Sequence, residues 1–396
     1  MTRNRNLRMN SRFRDQDTAE LILQYPSKQK LRAEPRIYSQ AVNMQLNKEA
    51  LLYDKVEEGR VRCKLCPRRC LIFPDKAGYC GVRQNLAGTL YTLIYGKVSS
   101  INADPIEKKP LFHFYPGSKV LSLGTIGCNM RCIHCQNWQI SHVLPVKAID
   151  ENKVFNVVEP IPTEYISPED LVDMALKYRC KGIAWTYNEP TIWLEYALDG
   201  AKLAREKGLY TVFVTNGYIT PEALDTIGPY LDAFRVDVKG FTNDFYRKLA
   251  QVPNWETILE AAVRAKTKWN MHVEIITLII PTWNDDEPQL RSIADWITDE
   301  LGELTPWHVT RFMPYLELSN LPPTPVETLE KARNIGFEAG LKYVYIGNVP
   351  GHPGENTFCH NCKKLLVERS GYEIGEMNLT PSGQCGFCNK NIGFRP

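Results

Sequence analysis

The chain predicts an α/β fold: a partial (β/α)6-type barrel, with a four-cysteine metal-binding segment before it and a zinc ribbon after it. Three observations carry this. Between residues 120 and 350, short apolar runs alternate with stretches of helical period, which implies parallel strands joined by right-handed crossovers. Eleven of the twelve cysteines fall into three tight clusters, and only Cys180 stands apart, as a buried residue would. Polar residues recur just past the ends of the apolar runs, where the mouth of a parallel barrel collects its functional groups.

The totals agree with this reading. A chain of 396 residues has room for a barrel-sized domain and one or two small ones. A hydrophobic content of 43% with 23% charged residues is ordinary for a water-soluble globular protein. The net charge of +3 is too small to imply nucleic acid by itself. No run of 18 apolar residues exists, so no membrane insertion is expected. The N-terminus has no apolar signal core, which points to the cytoplasm. Clustered C-x2-C pairs in such a chain indicate metals in a reducing compartment, not disulfides. Four regions result: 1–45, 46–115, 116–350 and 351–396.

Residues 1–45 are polar and basic, with Arg3, Arg5, Arg8, Arg12, Arg14, Lys28, Lys30, Arg32 and Arg36. They read as a solvated extension, or as a basic arm for RNA, DNA or an acidic partner. Residues 46–60 alternate apolar and charged residues at helical spacing. Then comes Cys63-x2-Cys66-x3-Cys70-x9-Cys80. This is a closed four-thiolate set suited to zinc or to a second [4Fe–4S] cluster. Arg68, Arg69 and Arg83 would offset its negative charge. Residues 86–115 read as a hairpin turning at Gly88-Thr89, followed by the polar, Pro-bounded loop Asp104–Pro110.

The strand candidates of the barrel are 120–124, 182–186, 210–214, 233–238, 272–280, 308–312 and 343–346. The helical stretches are 168–179, 192–207, 221–230, 256–268, 287–301 and 325–339. The first of these opens on Ser167-Pro168-Glu169-Asp170, an N-cap with early acids. The strand ends carry Thr186-Tyr187-Asn188-Glu189-Pro190, Thr215-Asn216-Gly217, Arg235-Val236-Asp237-Val238-Lys239 and Arg311-Phe312-Met313-Pro314-Tyr315. The chain closes with Cys359-x2-Cys362 and Cys385-x2-Cys388, a zinc-ribbon spacing. About 40 residues bury little core, so metal would supply folding energy there. Rubredoxin-like iron is the alternative metal, and His360 is a bystander.

The first barrel strand leads into Cys128-x3-Cys132-x2-Cys135. Three thiolates on one loop suit an iron–sulfur cluster. A cubane has four irons, so three cysteines leave one iron open to a small molecule, as catalysis needs. A zinc site completed by His134 or His142 is the plainer alternative. An exposed cluster also favours an oxygen-poor, anaerobic setting.

This signature resembles that of the radical S-adenosylmethionine (SAM) superfamily. The longer runs CNMRCIHCQNW and DPIEKKPLFHFYPGS, at 128–138 and 104–118, are similar to one branch of it. That branch is the radical SAM member of the AmmeMemoRadiSam system, related to the pyruvate formate-lyase activating enzymes. The resemblance runs from about residue 60 to the C-terminus. It implies a radical SAM barrel whose [4Fe–4S] cluster, on Cys128, Cys132 and Cys135, cleaves SAM reductively to a 5′-deoxyadenosyl radical. It implies that Asn188 and Glu189 meet the methionyl amine. Thr215, Asn216, Asp237 and Lys239 would meet the ribose, the carboxylate and a monovalent cation. One position departs: Val214 stands where the activating enzymes carry Asp. The resemblance also places Asp104–Pro110 near the mouth, and Pro281–Asp286 in a loop that closes over substrate or caps the next helix. It implies an electron donor such as flavodoxin or ferredoxin, and oxidoreductase or lyase chemistry. The substrate is open: a glycyl-radical enzyme, a metabolite or lipid, or RNA. The contrasting class is a non-catalytic iron–sulfur and zinc scaffold or electron carrier.

Overall fold

The computed structural model describes residues 48–142 and 162–396; the basic stretch 1–45 lies outside them. The centre is one eight-stranded sheet. Its strands are β1 (Ser100–Pro105), β2 (Lys119–Gly124), β3 (Gly182–Trp185), β4 (Tyr210–Thr215), β5 (Ala233–Asp237), β6 (His272–Ile279), β7 (Trp307–Arg311) and β8 (Val344–Gly347). They lie side by side in chain order. From β2 to β8 all pairs are parallel, with Leu121 beside Ile183 and Ile183 beside Thr211. Parallel pairing demands long crossovers, and helices supply them between successive strands. The seven parallel strands are those the apolar runs predict.

The eighth strand was not predicted. β1 pairs antiparallel with β2, Ser100 opposite Gly124 and Pro105 opposite Lys119. It is an edge strand with only one buried residue among six, so it carries no apolar run. The expected helical stretch at 46–60 is also corrected. Glu58 and Gly59 both take positive φ (60° and 68°), which folds Tyr53–Lys55 back onto Val61–Cys63 as a tight hairpin. The expected hairpin forms from Arg83–Leu86 and Thr89–Thr92, but it starts earlier and turns at Ala87-Gly88, one residue before Gly88-Thr89, where both residues take positive φ.

The helices begin where their caps stand. The Ser167 hydroxyl accepts from the Asp170 amide at 3.0 Å, with Pro168 in the first helical position of Pro168–Lys177. Thr220 caps Pro221–Ile227 in the same way. The helices press on a core that includes Trp185, Trp193, Phe213, Phe234 and Trp307, all fully buried. Among the described residues no helix is long and apolar enough to cross a membrane.

The end of the barrel opposite the mouth is closed by charge. Glu274, near the start of β6, is wholly buried. It accepts from the amides of Phe112 (3.1 Å) and His113 (2.8 Å), and from His272 (2.9 Å) and His308 (2.6 Å). Burial alone would raise its pKa, but the two imidazole hydrogen bonds hold it well below the usual carboxylate range. The C-terminal unit packs beneath this cluster. Arg369 donates to Phe112 O at 2.8 Å, and His113 stacks on Phe394 with centroids 3.9 Å apart. The DPIEKKP–FHF stretch lies at this closed end, not at the mouth as expected, because β1 runs antiparallel. Asp104 stands opposite Val120 at the start of β2 and meets the mouth only through the Tyr187 hydroxyl at 2.9 Å, while Phe112 and His113 plug the floor.

Replacing Glu274 with Gln leaves buried donors facing the wrong partner. The expected cost is about 3 kcal/mol at neutral pH, read from the denaturant midpoint. The depressed pKa makes this stabilisation complete above the unfolded-state value, about 4.3, and lost as pH falls toward the folded value. The gap between wild type and Glu274→Gln is therefore expected to narrow in acid.

Candidate active site and metal centres

The loop after β2 is held on both sides by backbone it does not own. Gly127 N donates to Ile140 O (2.7 Å), Arg131 N to Ala250 O (3.2 Å) and Ile133 N to Leu249 O (3.0 Å). The Arg131 guanidinium ties the turn from within, reaching Cys128 O at 2.7 Å, Met130 O at 2.9 Å and Tyr79 O at 2.9 Å. Cys128, Cys132 and Cys135 are thereby presented half-buried at the mouth. Their low-dielectric surroundings push the thiols up to about 12, 12 and 11. Lys239 opposes that rise at Cys132 and Arg131 opposes it at Cys128. Metal loading must therefore release protons, as thiolate ligation requires.

Two groups of polar side chains surround these thiols. The first comes from the ends of β3 and β4. Asn188 accepts from Thr125 N (3.1 Å) and donates to Gly127 O (2.8 Å), so it props the cysteine loop. Glu189 is buried and accepts three hydrogen bonds, from Thr191 N (2.9 Å), Thr215 Oγ1 (2.7 Å) and Asn216 N (2.8 Å). Burial raises its pKa against those bonds. Asn216 Nδ2 lies 3.0 Å from Asn129 Oδ1 and 3.8 Å from Cys128 Sγ. The second group ends β5. Lys239 Nζ lies 2.9 Å from Asp237 Oδ2, and Arg235 pairs with Asp237 Oδ1. Burial disfavours both charges, but the pairing wins: it lowers the carboxyl pKa and raises that of the ammonium.

Asn188 and Asn216 hydrogen-bond the cysteine loop directly, while Glu189, Thr215, Asp237 and Lys239 bond to one another or to Asn216 at the neighbouring strand ends. Asn216 links Glu189 and Thr215 to Asn129 and Cys128, the charges of Asp237 and Lys239 are felt at Cys132, and Asn188 stands behind the loop. Neither His134 nor His142 gathers with the three thiols within single-ion distance among the described residues. The spread donor set suits a multi-iron cluster, not one zinc ion.

Sequence reasoning missed three contributors. Asn129, inside the C-x3-C spacer, bridges Asn216 to Tyr218 O at 2.8 Å. Asn137 donates to Tyr187 O at 2.6 Å. Tyr187 adopts a φ of 69°, which turns its hydroxyl to Asp104. A polar residue between two ligand cysteines was the one available signal. The Pro281–Asp286 loop resolves as a cap: Asp286 accepts from Gln289 N at 3.1 Å, and buried Asn284 accepts from Ile280 N at 2.6 Å.

The C-terminal thiols of Cys359, Cys362, Cys385 and Cys388 gather within 4.8 Å of one another, with two Sγ–Sγ distances of 3.7 Å. A tetrahedral ion bonded to sulfur at about 2.3 Å requires edges of that length. The Asn361 amide, 3.6 Å from Cys388 Sγ, leads the groups that pull that thiol down to about 6. His360 is occupied by Tyr343 at 3.0 Å, outside the thiol set. The strands 365–370 and 373–377 form the expected hairpin between the knuckles.

Residues 123–292 match the family model described as the Radical SAM superfamily. The chain is 46% identical over 346 residues to the uncharacterized protein MJ0808 of Methanocaldococcus jannaschii, covering 87% of this chain and 98% of that one. It is 23% identical to the pyruvate formate-lyase 1-activating enzyme of Escherichia coli, over 55% of this chain and 89% of that enzyme. It is 22% identical to the putative glycyl-radical enzyme activating enzyme MJ1632 of M. jannaschii, over 59% and 80%.

Exchange of Cys359 and Cys362 for Ser is expected to remove one metal ion per chain by elemental analysis, leave the iron content unchanged, and lower the thermal midpoint. An unchanged metal count would show that these thiols bind none.

Proposed function

This chain belongs to the radical SAM superfamily, and from that premise we propose that its mouth residues bind SAM against a cluster held by Cys128, Cys132 and Cys135. The observation that carries the proposal is the hydrogen-bonded chain from buried Glu189 through Asn216 to Asn129 and Cys128, with the Asp237–Lys239 pair ending the next strand. When bound, the [4Fe–4S] cluster and SAM supply one-electron reductive cleavage to methionine and a 5′-deoxyadenosyl radical, which takes a hydrogen atom from substrate.

The protein's part is holding and exclusion. Glu189 has three donors on its two oxygens, and a carboxylate accepts about four. The remaining site suits the methionyl ammonium, the charge-assisted partner a buried carboxylate needs. Lys239, fixed by Asp237, offers its ammonium to the methionyl carboxylate. Asn216 orients both sides, bonding Asn129 and approaching Cys128. With Val214 in place of an acid, the monovalent-cation site of the activating enzymes loses a ligand here. The substrate enters the barrel from the same mouth, and a low-potential donor of the flavodoxin or ferredoxin class supplies the electron. The longer motifs support assignment to the AmmeMemoRadiSam branch.

Anaerobically reconstituted protein with dithionite and SAM is expected to release 5′-deoxyadenosine by chromatography. The Cys128→Ala/Cys132→Ala/Cys135→Ala variant is expected to release none. Iron-loaded wild type that never cleaves SAM would overturn the proposal. Glu189→Ala is expected to weaken SAM binding at least tenfold by calorimetry, the loss of a charged hydrogen bond of about 1.5–3 kcal/mol.

A further inference from the structure

The four cysteines ahead of the barrel converge on one cavity. Cys63, Cys66, Cys70 and Cys80 line it together with Arg83 and Asn129. The backbone is closed around them: Cys63 N donates to Cys70 O at 3.0 Å, and Gly78 N to Arg83 O at 2.9 Å. Their spacing differs from that of the C-terminal thiols. A single tetrahedral ion draws four sulfurs to about 3.8 Å from one another. Among the described residues, only the C-terminal four bring three or more ligand atoms within 4.8 Å of each other. The N-terminal four share a cavity, yet no three of their sulfurs lie that close to one another. A cubane carries one thiolate on each iron, and so keeps its sulfurs apart in this way.

Arg83 is a second and independent observation. It is 1% exposed and lines the same cavity. Its Nη2 donates to Glu195 Oε2 at 2.5 Å. Its Nε and Nη1 are buried and have no hydrogen-bond partner among the described residues. Buried guanidinium donors without acceptors are costly, so such a group signals an anionic acceptor. Arg69, by contrast, is paired with Glu222, and Arg68 donates to Asn129 O and Gln251 O. Of the three arginines expected to offset thiolate charge, Arg83 alone is fully buried at the cavity with donors to spare.

We propose that Cys63, Cys66, Cys70 and Cys80 hold a second [4Fe–4S] cluster, with Arg83 donating hydrogen bonds to its sulfur atoms. The site is fastened to the loop of the first. Gly127 takes a φ of 89°, and a Cβ there would come within 2.7 Å of Val82 Cγ1 and 3.0 Å of Cys80 O. Arg68 Nε reaches Asn129 O at 2.8 Å, and Asn129 follows Cys128 directly. The two metal centres therefore share a wall.

The test uses the full chain, reconstituted anaerobically with iron and sulfide. In the Cys128→Ala/Cys132→Ala/Cys135→Ala variant, about four irons and matching sulfide are expected to remain. Dithionite should then give the electron paramagnetic resonance of a reduced cluster. Further exchange of Cys66 and Cys70 for Ala should abolish both. A triple variant that holds no iron but two zinc ions per chain would overturn the proposal, whether or not the first cluster cleaves SAM. Arg83→Met alone strands Glu195, so it is paired with Glu195→Leu, which leaves no lone buried charge. In the triple-variant background this pair is expected to lower the midpoint potential of the remaining cluster. An unchanged potential would remove Arg83 from the site.

Discussion

Parallel pairing in register is the constraint on which the site depends. Leu123, Trp185 and Phe213 lie level across β2, β3 and β4, so the three strands end within two residues of one height. Gly124, Thr186 and Thr215 then release their loops side by side. From that level Asn188 can bond both Thr125 and Gly127, and Glu189 can collect the amide of Asn216. A slip of one residue would reverse the faces of a strand and separate these partners. The cysteine loop has no regular structure of its own at Cys128–Cys135. Its shape is set by hydrogen bonds lent from strand ends and from residues 249–250.

The opposite end of the barrel is treated differently. There Glu274 draws the amides of residues 112–113 and two histidines into one buried anion site, and the C-terminal unit covers it. Arg369 and Arg395 join that unit to the floor through Phe112 O, His113 O and Asn270 O. The metal-ready thiols below the floor thus bear on the barrel through packing and hydrogen bonds, at the end remote from the mouth. The N-terminal cysteine segment is placed at the mouth instead, against the catalytic loop. One end of the barrel is stapled, and the other gathers two of the three cysteine clusters.

How much of this is legible in the sequence follows from where the signals arise. The seven parallel strands are buried on both faces and so announce themselves as apolar runs. The helix starts at Ser167, Thr220 and Asp286 are written in their caps. The cysteine spacings are local and survive without a structure. β1 is not legible, because a half-exposed edge strand of sequence SINADP has no apolar period. Glu274 is not legible as an anchor, since two of its four partners lie 161 and 162 residues away. Nor can the sequence reveal that Tyr187 takes a left-handed backbone, or that Arg83 alone of three arginines is fully buried with unpartnered donors. The strand-end residues are legible as a set, but which of them prop the cysteine loop and which bond to one another is visible only in the hydrogen bonds.

Under the proposed function, one iron of the cluster on Cys128, Cys132 and Cys135 is open and meets SAM at the mouth. Electron paramagnetic resonance of the dithionite-reduced chain, recorded before and after addition of SAM, tests it most directly. SAM is expected to change the spectrum of the wild type and to leave that of the Cys128/Cys132/Cys135→Ala variant unaltered. A wild-type spectrum indifferent to SAM would contradict it.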